Sequence, residues 1–153
     1  MRIGLISDTH GLLRPEAEAF LRGCDHIVHG GDIGRAEILE RLRALAPLTV
    51  VRGNNDREAW AGEIPHAQGI VLGGVSVFVL HDLKELAQHP APPGTQVIVC
   101  GHSHRPQVTR QPSGVVVVNP GSAGPRRFSL PVSCAELLVP ASGQFEARIV
   151  ALL

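Results

Sequence analysis

The stretch Met1-Arg2-Ile3-Gly4-Leu5-Ile6-Ser7-Asp8-Thr9-His10 decides the fold. Ile3, Leu5 and Ile6 read as a buried strand that starts at the first residue, with Asp8 and His10 just past its C-terminal end. Ligands collect at that edge of open α/β sheets, so a carboxylate and an imidazole delivered there point to chemistry. The arrangement recurs down the chain. Residues 27–29 read as a second strand, followed by Gly30-Gly31-Asp32, where the glycines let the backbone turn. Residues 48–51 lead into Gly53-Asn54-Asn55-Asp56, a set of turn formers. Residues 75–80 run into His81, and residues 97–100 into Gly101-His102-Ser103-His104. Five strands are thus expected to carry candidate ligands to one edge.

Between these strands the pattern predicts helices over 15–21, opened by Pro15, and over 35–45. In the second, Ile38, Leu42 and Leu45 form an apolar stripe with Arg41 and Arg43 off it. The first half reads βαβαβ, and right-handed crossovers make its strands parallel. The second half is strand-rich: a hairpin over 70–80 turning at Gly73-Gly74, then strands over 107–111, 115–118, 133–139 and 145–150. Val115-Val116-Val117-Val118 fits a strand covered on both faces. Residues 90–93 and 121–131 read as loops.

The 153 residues are expected to form a single domain over 1–153. Lys plus Arg and Asp plus Glu are equal at 14 each, so no electrostatic footprint for nucleic acid or an anionic membrane is present. No apolar run has transmembrane length, and residues 1–6 are too short for a signal-peptide core. Cys24, Cys100 and Cys134 are odd in number and without paired spacing, which suggests reduced thiols and a cytoplasmic location. Of the remaining histidines, His26, His66 and His89 are expected to face solvent. His29, three residues before Asp32, is a candidate for orienting a ligand by a hydrogen bond.

Carboxylates, imidazoles and an amide suit Mn²⁺, Fe, Zn²⁺ or Ni²⁺ better than Ca²⁺, which wants more oxygens. A carboxylate bridging two ions sets them roughly 3.5–4 Å apart, with a hydroxide between them to attack phosphorus. Asp8 and Asp32 cannot neutralise two divalent ions, so the site stays electropositive and favours an anionic substrate. No Gly-x-Gly-x-x-Gly or Walker pattern supports a doubly wound nucleotide-binding module, and the glycines at 30 and 31 precede a carboxylate that repels phosphate.

The ordered set Asp-x-His, Gly-Asp, Gly-Asn-x-Asp, His and Gly-His-x-His resembles the calcineurin-like metallophosphoesterase superfamily, in particular its small bacterial and archaeal phosphodiesterase branch. Asn119-Pro120-Gly121-Ser122 is similar to a segment of that branch, so the resemblance spans residues 8–122. It implies an α/β fold, a four-layer α/β/β/α sandwich of two mixed β-sheets flanked by helices. It also implies a metal-dependent phosphodiesterase acting on a small phosphate ester with two divalent metal ions per chain, manganese foremost, with iron, nickel or zinc as alternatives. Asp8, His10, Asp32 and His104 would hold one ion, and Asp32, Asn54, His81 and His102 the other, with Asp32 bridging.

Many members of the superfamily place a His after the ligand Asn to protonate the leaving group; the small branch commonly has Cys there, and this chain has Asn55. A general acid is typically worth about 10²–10⁴-fold, so leaving groups that are already good, such as aryl esters, are expected to be preferred. Asp56 is a further candidate for supporting the ligands or touching substrate, and Arg126 and Arg127 for meeting a phosphate or a partner subunit, a homo-oligomer being open. The alternative function is a metallophosphoesterase-fold protein-binding scaffold, as for a eukaryotic retromer subunit that resembles the family with its metal positions partly replaced. All seven ligand positions are filled here, which favours catalysis.

Overall fold

The computed structural model describes residues 1–153. In chain order the elements are β1 (Arg2–Ile6), α1 (Pro15–Leu21), β2 (His26–His29), α2 (Ala36–Arg43), β3 (Leu48–Val50), β4 (Ala67–Leu72) and β5 (Val75–Leu80). Then come β6 (Val97–Val99), β7 (Gln107–Arg110), β8 (Val116–Asn119), β9 (Ser133–Leu138) and β10 (Glu146–Ala151). They build two five-stranded sheets, ordered β10-β9-β1-β2-β3 and β4-β5-β6-β8-β7. In the first, β1, β2 and β3 are parallel, with Ile3 opposite His26 and Ile27 opposite Leu48, while β9 pairs antiparallel with β1 and β10 antiparallel with β9. In the second, β5, β6 and β8 are parallel and the edges β4 and β7 antiparallel. The expected pair of mixed sheets is thus present, and the hairpin closes across Gly73-Gly74 with Leu72 opposite Val75.

Strand alternation explains the layers. Ile3 and Leu5 point between the sheets and join Val77, Val79, Val97, Val99, Val116 and Val118 in one shared core. Ile6 and Ile27 point the other way, onto α1 and α2. There α1 buries Ala17 and Leu21 and α2 buries Ile38, Leu39 and Leu42. The second helix is shorter than expected, and Leu45 packs half-buried beyond its end.

The other outer layer is thin. Beyond the second sheet the chain forms only a 3₁₀ turn, Leu83–Ala87, capped where the Asp82 side chain accepts from the Lys84 N–H. Pro90, Pro92, Pro93 and Gly94 follow closely and forbid a longer helix. Leu86 and Ala91 cover part of an outer cluster of Phe78, Leu80, Ile98, Cys100 and Val117. The ligand-bearing strands also divide, with β1, β2 and β3 in one sheet and β5 and β6 in the other. The single edge expected from the sequence is therefore a seam between two sheet edges. His26 departs from its expectation too: it is half-buried and hydrogen-bonded to Thr49 Oγ1 at 2.8 Å rather than free in solvent. His66 and His89 are exposed, and their rings stack with centroids 6.1 Å apart.

Candidate metal centre

Backbone pairing continues past the strands into the loops that carry the ligands. The Asp8 N–H donates to Gly31 O at 3.0 Å and the His10 N–H to Asp32 O at 2.9 Å, so the loops after β1 and β2 are zipped together. On the other side of the seam, the Gly101 N–H donates to His81 O at 2.9 Å, so the loops after β5 and β6 are joined in the same way. The chain then takes a rare conformation. Six non-glycine residues have positive φ, and five of them are Asp8 (55°), His10 (45°), Asp32 (57°), His102 (72°) and His104 (61°). Left-handed backbone at non-glycine residues costs about 1–3 kcal/mol each and clusters at functional sites. Its concentration here marks a structure held for what it presents.

Two glycines make room for the carboxylates. A Cβ on Gly53 would lie 2.1 Å from Asp32 Oδ1, and one on Gly101 would lie 2.1 Å from Ser7 Oγ and 2.5 Å from Asp8 Oδ2. Nothing larger than hydrogen fits at either position.

Seven side chains then converge. Asp8, His10 and His104 each offer a ligand atom within 4.8 Å of the others, as do Asp8, Asp32 and His81. His10 Nε2 and His104 Nε2 face each other at 3.3 Å, and His104 Nε2 is 3.3 Å from Asp8 Oδ1. His10 Nε2 also lies 3.7 Å from both Asp8 Oδ1 and Asp32 Oδ2. His81 Nε2 is 3.2 Å from Asp32 Oδ2, while its Nδ1 bonds Gly30 O at 2.8 Å. A carbonyl only accepts, so Nδ1 carries the proton there and Nε2 is turned to Asp32. Asn54 and His102 form the exposed rim, Oδ1 to Nδ1 at 3.2 Å. Asp8 belongs to both trios, although the resemblance gives the bridge to Asp32.

The residues fit bound cations on their own chemistry. Asp8 Oδ1, His81 Nε2 and His104 Nδ1 are buried with no hydrogen-bond partner, which is costly for groups that nothing satisfies. Burial works against the charged form of Asp8, but the adjacent His10 and His104 imidazoles, the charge of His81 and the Ser7 hydroxyl outweigh it and hold the carboxyl well below its usual range. Asp32 is lowered in the same way: burial opposes, and His81 and Asn55 prevail. For His81, burial favours the neutral ring, yet Asp32 and Asp8 push it up to about 9. Anionic oxygens, imidazoles and an amide at this spacing are a cation's donor set.

The remaining candidates sort differently. His29 is fully buried; its Nδ1 accepts from the Gly31 N–H at 3.0 Å, which leaves Nε2 to donate to Thr9 Oγ1 at 3.1 Å, and Thr9 in turn donates to Ile33 O at 2.8 Å. Burial pulls His29 down to about 4, in keeping with that neutral ring. It ties the Asp8-Thr9-His10 turn to the Asp32 loop. Asp56 is consumed by backbone amides of Ile33, Gly34 and Gly53 at 2.8–3.2 Å, so its carboxylate staples the Asp32 loop to the Asn54 loop instead of meeting substrate. Asn55 donates its N–H to Asp32 Oδ1 at 2.9 Å and its side-chain amide to Asp32 Oδ2 at 3.0 Å. Arg126 and Arg127 stand exposed, with no hydrogen bond or ion pair from either side chain to the cluster.

Three supports escape a reading by motif alone. Ser7 Oγ donates to Asp8 Oδ2 at 2.7 Å, and Ser122 Oγ to Asp8 O at 3.0 Å. Asn119 donates to Gly101 O and Ser103 Oγ, both at 3.0 Å, and accepts from the Gly121 N–H at 2.9 Å. The signal for the last two was the Asn119-Pro120-Gly121-Ser122 segment, whose purpose is to brace the loops after β1 and β6.

A model of the calcineurin-like phosphoesterase superfamily domain matches residues 1–140. The chain belongs to that superfamily. Among curated relatives, a probable metallophosphoesterase of Methanothermobacter thermautotrophicus is 35% identical over 144 residues, covering 86% of this chain and 82% of the relative. Among solved structures, an archaeal phosphodiesterase superposes with TM-score 0.76 at 21% identity, covering 98% of this chain and 100% of its own. A single mutant of Vps29 from Entamoeba histolytica reaches 0.77 at 20%, covering 99% of each chain, and the wild type complexed with Zn²⁺ reaches 0.72 at 22%, covering 100% of each. The structural likenesses show the fold. The family match and the curated relative make this a metallophosphoesterase, a metal-dependent hydrolase of phosphate esters.

Proposed function

We propose that this metallophosphoesterase is a phosphodiesterase working with two divalent ions, manganese foremost, held by Asp8, His10, Asp32 and His104 and by Asp32, Asn54, His81 and His102. The observation that carries the proposal is the pair of imidazole nitrogens, His10 Nε2 and His104 Nε2, facing each other at 3.3 Å beside the unpaired Asp8 Oδ1. Two imidazole nitrogens and a carboxylate oxygen turned toward one point are the kind of donor set a cation takes. When bound, such ions acidify water and neutralise phosphoryl charge.

The chain supplies the rest. Ser7 and the His102 N–H, at 2.7 and 3.1 Å, fix Asp8 Oδ2 and leave Oδ1 free to bind. The bond from His81 to Gly30 O sets the ring so that Nε2 is presented. Only Asp8 and Asp32 bring negative charge among the seven, so the loaded site attracts an anionic ester and accommodates the charge that grows as the phosphorus is attacked. A new P–O bond forms from water and the ester P–O bond breaks. Asn55 holds Asp32 and has no proton to give, so the departing oxygen takes its proton from solvent. Aryl esters, which leave without help, are therefore the favoured class.

The fold shared with Vps29 favours a second reading, a protein-binding scaffold. A scaffold has no need of seven converging ligand groups or of left-handed backbone at five of them. No helix is long and apolar enough to cross a membrane, and three buried unpaired cysteines support a cytoplasmic location. Hydrolysis of a bis-aryl phosphodiester by the purified protein with and without Mn²⁺ separates the readings. Metal-dependent release of the aryl alcohol is expected; bound metal with no hydrolysis moves the protein to the scaffold class.

A further inference from the structure

The thin outer layer of the second sheet leaves a groove that begins at the metal centre. A cavity of about 270 Å³ is lined by His102 and Ser103 at one end and runs along β7 and β8. Its floor is apolar, made by Cys100, Val117 and the exposed Leu83. Alternation on β7 puts Gln107 and Thr109 on one side of that floor, since Thr109 pairs with Val117 and Gln107 with Asn119, and Gln111, just past the strand, lines the groove beside them. All three are exposed, and no side-chain hydrogen bond within the protein engages them. Arg105 also lines the groove. A larger open cavity of about 610 Å³, next to Gln96, Arg110 and Phe145, includes no ligand position.

The chemistry of the groove selects its occupant. An apolar floor flanked by a few convergent amides and a hydroxyl is the make-up of a small-molecule site. The volume lies near the lower limit of about 300–1,000 Å³ for such sites, which suits one small organic group and not a polymer. Glutamine amides each offer a donor and an acceptor, matching the mixed edge of a heterocycle, and a guanidinium is a flat partner for a ring. A plain aryl group would leave the amides unmatched, and a polyol would waste the apolar floor.

We propose that this groove is the subsite for one ester arm of the substrate and that it takes a hydrogen-bonding heterocyclic group of nucleoside type, read by Gln107, Thr109 and Gln111. The proposal rests on the phosphodiesterase reading for the word substrate, but binding in the groove is separable from catalysis.

Its test is direct binding followed by specificity. In ¹H–¹⁵N spectra of the full chain, adenosine is expected to shift the side-chain amide signals of Gln107 and Gln111, with phenol and glycerol at equal concentration leaving them in place. Equal shifts from all three, or none from adenosine, overturn the proposal whether or not the protein hydrolyses anything. With Mn²⁺ present, the ratio of kcat/KM for a nucleoside 5′-(4-nitrophenyl phosphate) over bis(4-nitrophenyl) phosphate is expected to fall about tenfold or more in the double variant Gln107→Ala, Thr109→Val, two lost hydrogen bonds being worth about that much. An unchanged ratio overturns the assignment. No hydrolysis of either ester by the wild type, with adenosine still shifting the amides, condemns the phosphodiesterase reading and leaves the groove as a heterocycle site.

Discussion

Asp8 and Glu136 are buried carboxylates of one sheet, Asp8 just beyond β1 and Glu136 on the β9 strand beside it, and they are satisfied in opposite ways. Glu136 is held by Arg2 Nε at 2.8 Å and by the Arg148 guanidinium, so both its oxygens meet fixed cations from neighbouring strands. Asp8 meets imidazoles and a serine hydroxyl, keeps Oδ1 unpaired, and stands on left-handed backbone. A structural charge is completed by the fold itself. A functional charge is left open on one side, and the strain it entails is borne by a rigid two-sheet frame.

The largest test of that contrast exchanges the two losses. Asp8→Asn is expected to lower metal-dependent hydrolysis roughly 10³-fold, the several kcal/mol of transition-state stabilisation that a correctly placed metal supplies. Its metal-free melting temperature should hold or rise. Glu136→Gln should keep activity near wild type and cost about 1–3 kcal/mol of stability, through the ion pairs it weakens. If both variants lose the same property, the distinction between the two carboxylates is void.

Asn55 sharpens the contrast from within the centre. Replacing it with histidine is expected to raise the rate on alkyl relative to aryl phosphodiesters by about 10²-fold, the lower value for a general acid. An unchanged ratio in parallel assays of the two esters would mean that the leaving group never depended on this position.

The strand ends were legible because Asp and His after apolar runs are signals carried by adjacent residues. The boundaries of α1 and the turn at Gly73-Gly74 were legible for the same local reason, through Pro15 and paired glycines. What stayed hidden was set by contacts between loops far apart in sequence. That Asn55 spends its amide on Asp32, 23 residues away, and that Asp56 caps the Ile33 and Gly34 amides, follow from loops meeting in space. Positive φ at Asp8, His10 and Asp32 was equally invisible, since none is glycine. The missing outer helix was written in Pro90, Pro92 and Pro93, and its consequence, an open groove, required the sheet beneath.

His29 gives a smaller effect that belongs to neither carboxylate. His29→Leu removes the donor to Thr9 and the acceptor for Gly31, and is expected to weaken metal affinity about tenfold, as for groups that hold ligands in place. Competition with a chelator measures it; unaltered affinity with a lowered melting temperature would reduce His29 to a packing residue.

The smallest effect is one of pH. Burial opposes the charge on Glu136, but Arg2 and Arg148 prevail and lower its pKa below the ordinary carboxylate value. A group depressed in the folded state stabilises above its unfolded pKa and loses that contribution as pH falls through the folded one. Below about pH 4.5, therefore, the melting temperature of the wild type should fall toward that of Glu136→Gln, and the two curves should converge. A constant gap down to the lowest pH at which both fold would remove the ion pairs from the account.

The central claim is a two-metal centre joined through Asp32. It is tested most directly by elemental analysis of the purified protein, reconstituted with Mn²⁺ and freed of excess, beside its Asp32→Asn variant. Two equivalents in the wild type and loss of both together in the variant are predicted; two equivalents retained in the variant, or none bound by the wild type, would contradict it.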